Sequence, residues 1–146
     1  MKMKKLKNIL CMVCISLLLI GCKAKEEPKG TAYITYVKDT ETYCEVIEVY
    51  SNGLSGIVSD EEHEKLKDYL SEYGVEDVIG STDMDLPELD SGEYDFVTRT
   101  VRKVMIPDDQ IEKVKKALES YTVNIQFIDE NGKVTAEPYK IEVSFK

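Results

Sequence analysis

The chain has no tryptophan and a single histidine, His63. One histidine excludes the zinc motif HExxH, because His63 opens "HEKLK" and no second ring follows. It also leaves no local Ser–His–Asp signature from which nucleophilic catalysis could be argued. Helical spacing instead places His63 at the rim of an apolar helix face. No glycine-rich phosphate loop occurs. Basic residues are missing between Lys67 and Arg99, a stretch that holds ten acids. Acids outnumber bases throughout, and the formal net charge is −9. That balance argues against DNA, RNA and anionic lipid surfaces as partners, because each would be repelled.

What is present at the start is a basic cluster, Lys2, Lys4, Lys5 and Lys7, followed by the apolar "NILCMVCISLLLI". The run from Ile9 to Ile20 is about a dozen residues, short of the roughly 20 that cross a hydrocarbon core as a helix. A charged n-region, a short apolar h-region and a small residue before a cysteine read as a secretory signal. Leu19-Ile20-Gly21-Cys22 resembles the lipobox of bacterial lipoproteins. The resemblance implies a diacylglycerol thioether on Cys22 and cleavage just before it. It further implies a protein held on the extracytoplasmic side of the cell membrane. It covers residues 1–22 only and implies nothing about the domain behind them.

Three parts follow: a removed signal at 1–21, a lipid-anchored tether at 22–30, and one domain at 31–146. Two acyl chains hold firmly where one gives only marginal binding. The polar "KAKEEPKG" reaches on the order of 25 Å when extended. Loss of residues 1–21 removes four Lys and no acid, which takes the formal charge from −9 to −13. Cys11 and Cys14 leave with the signal, so Cys44 has no intramolecular disulfide partner. Cys44 lies in the strand-like "TYCEVIEVY" with Glu41, Glu45 and Glu48 nearby, the reverse of the electropositive setting that activates a thiol.

The domain reads as α+β. "TAYITYVKD" and "TYCEVIEVYS" form a hairpin, and Asn52-Gly53 offers a type I′ turn that returns "LSGIV" as a third strand. Ser59 and Glu62 have the form of a capping box, and Leu66, Tyr69, Leu70 and Tyr73 trace one helix face up to Gly74. "EYDFVTRTVRKVMI" reads as a long strand with a bulge near Val101. A second helix runs from Pro107 or Asp108 to about Ser120, with Ile111, Val114, Ala117, Leu118 and Tyr121 as its face. "TVNIQFID" and "YKIEVSFK" alternate strictly around another Asn-Gly turn, and Pro138 marks an edge or bulge. A shift of 48 residues aligns Val58–Tyr73 with Ile106–Tyr121, with six of sixteen positions identical. These features predict a single domain with an antiparallel sheet of about five or six strands and two helices packed on one face.

For function, the acidic stretch is the distinctive surface. Asp83, Asp85, Glu88 and Asp90 are the candidate partner-binding residues. They do not form an EF-hand: Pro87 stands where a ligand belongs and Glu88 where the sharp-turn glycine belongs. A looser calcium site from the same four acids is an alternative; the expectation is no metal, no other cofactor and no catalytic residue. The expected function is a membrane-tethered binding or accessory module for a basic protein or peptide. Two alternatives remain open. One is a small hydrolase using acids around 83–95; the other is an inhibitor or immunity protein for a basic target.

Overall fold

A computed structural model describes residues 30–80 and 84–146 of the chain. The lipobox with Cys22, residues 22–29 of the tether and Asp83 lie outside these residues, while Gly30, expected at the end of the tether, is buried and opens the first strand. Two strands open the domain, β1 (Gly30–Asp39) and β2 (Thr42–Ser51), paired antiparallel from Gly30↔Ser51 to Asp39↔Thr42. Their β-branched and aromatic residues favour the pleat. The two-residue turn between them holds Thr40 at φ 47°, a left-handed conformation that β-branched residues rarely adopt.

Next come β3 (Ser55–Val58), helix α1 (Asp60–Ser71) and the two-residue β4 (Glu76–Asp77). Strand β5 (Phe96–Met105) leads through a 3₁₀ turn at Asp108–Gln110 into helix α2 (Ile111–Glu119). The chain closes with the hairpin β6 (Thr122–Ile128) and β7 (Val134–Phe145). The seven strands form one sheet in the order β3-β6-β7-β1-β2-β5-β4. The sheet curls until edge strand β3 approaches β5, where Thr98 Oγ1 donates to Gly56 O at 2.8 Å. Gly56 suits the close approach: a Cβ would lie 3.0 Å from Phe127 Cε1 and 3.1 Å from Val49 Cγ1, tighter than ordinary contact.

Among the described residues the fold is a single α+β domain with two helices and seven strands, and three expectations about its sheet are corrected: an antiparallel sheet of about five or six strands, the partner of β3 and the bulge in β5. There are seven strands rather than five or six, because β4 is two residues long and leaves no period-2 signal. One pair is parallel: β7 runs beside β1 from Ala32↔Ile141 to Tyr36↔Phe145. The β6–β7 hairpin forms as expected, but it inserts next to β1 and so fixes that direction. Pro138 lies before this parallel pairing begins, where β7 is bonded on one side only and the missing N–H costs no ladder bond to β1.

The second correction is that β3 pairs with β6 and not with β2. Only Gly53 takes positive φ, at 73°, whereas a type I′ turn needs both central residues there. Asp95 captures the pair instead: Gly53 N donates to Asp95 Oδ2 at 2.9 Å and Asp95 N to Asn52 Oδ1 at 3.0 Å. The third is that β5 has no bulge, since its pairing with β2 is unbroken from Phe96 to Val104. Its alternation slips because both faces of the strand carry apolar residues. Val104 is opposite Tyr43 on the helix side, and Val101 is opposite Val46 on the other.

Both helices feed one core. Leu66 and Leu70 of α1, and Val114 and Leu118 of α2, are essentially inaccessible and pack with Ile34, Ile47, Val49, Ile125 and Phe127. They are counterparts under the 48-residue shift. Tyr69 even donates to the carbonyl of its own counterpart, Ala117, at 3.1 Å. The preceding strands do not match: β3 is an edge beside β6, whereas β5 lies between β2 and β4. The capping box is half formed. Ser59 Oγ accepts from Glu62 N at 3.3 Å, but the Glu62 carboxylate turns away to Asn124 N at 3.0 Å.

Candidate functional site

The inner face of the sheet, beneath the helices, holds a buried polar chain. Glu45 is 1% exposed and accepts from Tyr36 Oη at 2.8 Å and from Arg102 Nε at 2.6 Å. Arg102 Nη1 continues to Asp77 Oδ1 at 2.8 Å, and Asp77 meets Lys67 at 2.9 Å. Burial, then the Glu45 charge, pushes the Tyr36 hydroxyl well above its ordinary range, so it stays a donor. His63 is half-buried near this cluster; burial lowers its pKa, with Arg102 adding to that and Glu45 opposing it. Each strong donor here meets an acceptor, which makes the chain a structural tie between β1, β2, β5 and α1.

The outer face is different. A segment at 84–95 crosses it and leaves a groove of about 550 Å³ between itself and the sheet. Strand parity delivers the floor: Tyr33 and Thr35 from β1, Glu48 and Tyr50 from β2, Ser144 from β7. The segment supplies Asp90, Glu93 and Tyr94, and Lys146 closes one side. Tyr33 and Tyr50 meet edge to face at 5.5 Å, and Tyr50 and Tyr94 at 5.5 Å with 62° between planes.

Local chemistry holds the segment in place. Gly92, at φ 55°, donates to Asp90 Oδ1 at 2.9 Å, and Tyr94 N donates to Ser91 O at 2.9 Å. Arg99 Nη1 donates to Pro87 O at 3.1 Å while its Nη2 reaches Glu48 Oε2 at 3.4 Å. Tyr50 Oη donates to the same Glu48 oxygen at 3.0 Å. Burial and then that hydrogen bond raise the Tyr50 pKa, so the hydroxyl stays protonated and fixed on Glu48.

Of the candidate partner-binding residues, Asp83 lies outside the described residues. Asp85 and Glu88 are exposed on the segment and are not part of the groove wall. Asp90 alone lines it. Among the described residues no group of three or more His, Cys, Asp or Glu side chains could hold a metal ion. Cys44 is buried on the outer face, and desolvation raises its thiol pKa, the opposite of activation.

Sequence reasoning missed Tyr33, Glu48, Tyr50, Glu93 and Tyr94. A signal was available. β1 and β2 carry large residues at consecutive positions, which in an antiparallel sheet means that both faces are covered. No known family matches the chain, and no curated protein or solved structure does either.

Proposed function

We propose that this protein is an exported lipoprotein, tethered to the cell membrane through Cys22, that binds a basic protein or peptide rather than catalysing a reaction. The observation that carries the binding role is the groove, in which three tyrosines stand beside Glu48, Asp90 and Glu93. Aromatic faces and carboxylates together suit a cationic, partly apolar segment. The acid excess of the chain would steer such a partner from a distance. The exposed Asp85 and Glu88 extend the same charge along the segment beyond the groove. The anchor rests on the lipobox and places the groove outside the cytoplasm.

The test uses the full chain reconstituted in vesicles. A lysine-rich peptide should bind saturably and a glutamate-rich peptide of equal length should not. Equal binding of the two would sink the reading. The anchor is tested separately by Cys22→Ser, which should release the protein from membranes or leave it unprocessed. A Ser variant that still fractionates with membranes at mature length would contradict it.

A further inference from the structure

We propose that the outer-face groove is an aromatic cage for an organic ammonium cation with no N–H to donate, a quaternary amine. The inference deepens the reading of the groove as a cation site and rests on it. Tyr33 and Tyr50 are perpendicular at 5.5 Å, and Tyr94 meets Tyr50 at the same separation with 62° between planes. Steeply inclined rings present walls rather than a flat patch. A cation within about 6 Å of such ring faces is attracted by their quadrupoles.

The polar groups of the groove point to the same ligand. Tyr50 Oη is committed to Glu48, and Glu48 is shared with Arg99. Asp90 is turned to Gly92 N through one oxygen. Glu93 makes no hydrogen bond or ion pair among the described residues, so it is the carboxylate left to balance an incoming charge. The protein's own ring-stacked cations lie elsewhere: Lys38 over Tyr43 at 5.8 Å and Lys115 over Phe145 at 5.1 Å. Lys146 lines one side of the groove, but among the described residues no cation stands over Tyr33, Tyr50 or Tyr94.

The choice of a quaternary amine follows from what the walls offer. A lysine ammonium is drawn to the same rings and acids, but it brings three donors and a tighter hydration shell, so a quaternary amine sheds less water to enter and leaves no N–H unpaired. A hard metal ion would need several oxygens at coordination distance, and no such cluster exists among the described residues. A quaternary ammonium asks for ring faces and one counter-charge. A groove of about 550 Å³ admits it with a further substituent.

The test titrates the full chain with choline and with 3,3-dimethylbutan-1-ol, its uncharged isostere, followed by calorimetry and by the Tyr33 and Tyr94 ring resonances. Choline should bind saturably, and the isostere at least about tenfold more weakly, because shape is equal and only charge differs. Tyr33→Leu and Tyr94→Leu should each weaken choline about fivefold, and Tyr33→Phe should not, since it keeps the ring. Glu93→Gln, on an exposed residue, should weaken it without changing the melt. Absence of saturable choline binding, or equal affinity for the isostere, overturns the cage. A lysine-rich peptide that binds but is not displaced by choline also overturns it, while leaving the polypeptide reading intact. Choline binding without peptide binding supports the cage and removes the polypeptide partner.

Discussion

Arg99 on β5 holds two things at once: Glu48 on the neighbouring strand, at 3.4 Å, and the carbonyl of Pro87 in the crossing segment, at 3.1 Å. Among the described residues it is the one side chain that ties the floor of the groove to the acidic segment above it through a charge. The Arg99 side chain is 20% exposed and that of Glu48 13%, so solvent screens the pair only in part. Arg99→Gln should therefore loosen the segment more than the fold. We expect faster amide exchange at Ser91, Tyr94 and Asp95, with a global loss of roughly 1–2 kcal/mol in urea melts. Unchanged exchange across 84–95 would show that the segment is held by its own turns.

The inner-face pair behaves differently, because Glu45 is fully buried. Arg102→Met would strand that carboxylate with only Tyr36 Oη as donor. The expected cost is roughly 3–5 kcal/mol, the usual result of leaving a buried charge unpaired. Glu45→Met with Arg102→Met should recover much of it, since a buried ion pair and a packed apolar pair differ little in net stability. Denaturant melts of the two single variants and the double variant measure the coupling.

Much of the helix layer was legible in the sequence, and much of the sheet was not. The 3-4 spacing of Leu66, Leu70, Val114 and Leu118 reports burial directly, because a helix has one face to hide. The β6–β7 hairpin was legible for a like reason: Val123, Ile125 and Phe127 alternate with polar residues on a strand with one dry side. β1, β2 and β5 hide residues on both sides, and two covered faces erase the alternation that would assign each residue to one. The groove inherits this. Tyr33 and Tyr50 look like core residues until the register pairs them with Glu48 and Thr31, on the face of the sheet away from Ile34 and Val49. The destination of β3 was hidden too: Asp95 holds Asn52 and Gly53 out of the type I′ turn, and β3 pairs with β6 at the far edge of the sheet instead of returning beside β2.

Gly56 tests the curl of the sheet. Its missing Cβ leaves room for Phe127, Val49 and Ile125, the nearest at 3.0 Å, 3.1 Å and 3.3 Å from where that atom would stand. All three neighbours are buried side chains with little space to retreat. Gly56→Ala should cost roughly 1–3 kcal/mol by overpacking. A thermal melt unchanged by the substitution would mean that β3 can shift away from β5.

Glu62 gives the fold a specific acid sensitivity. Burial pushes its carboxyl up, but hydrogen bonds from Asn124 N, Lys65 and the Asn124 side chain outweigh this and leave it below the ordinary value. A depressed carboxyl pKa contributes stability above the unfolded value, near 4.3, and loses it as pH falls below that. The Glu62→Gln variant should thus be less stable than the parent near neutral pH, and the gap should narrow in acid. Urea melts across that window read the difference; a gap that is constant with pH would mean that the Asn124 contacts, and not the charge, carry the effect.

The last prediction concerns the charge of the crossing segment. Asp85, Glu88, Asp90 and Glu93 are exposed, and among the described residues none of the four forms an ion pair. Their mutual repulsion gives the fold no gain. Asp85→Asn, Glu88→Gln, Asp90→Asn and Glu93→Gln together should leave stability equal or slightly higher. Binding of a lysine-rich peptide should weaken, and the loss should shrink as salt rises, because exposed charges are screened over about 8–10 Å near physiological ionic strength. The two acids outside the groove wall, Asp85 and Glu88, should act mainly on the association rate, and the two within it, Asp90 and Glu93, on the dissociation rate. Stopped-flow traces of the paired variants at low salt separate these contributions. Unchanged rates in both pairs would reduce the acidic segment to solvation.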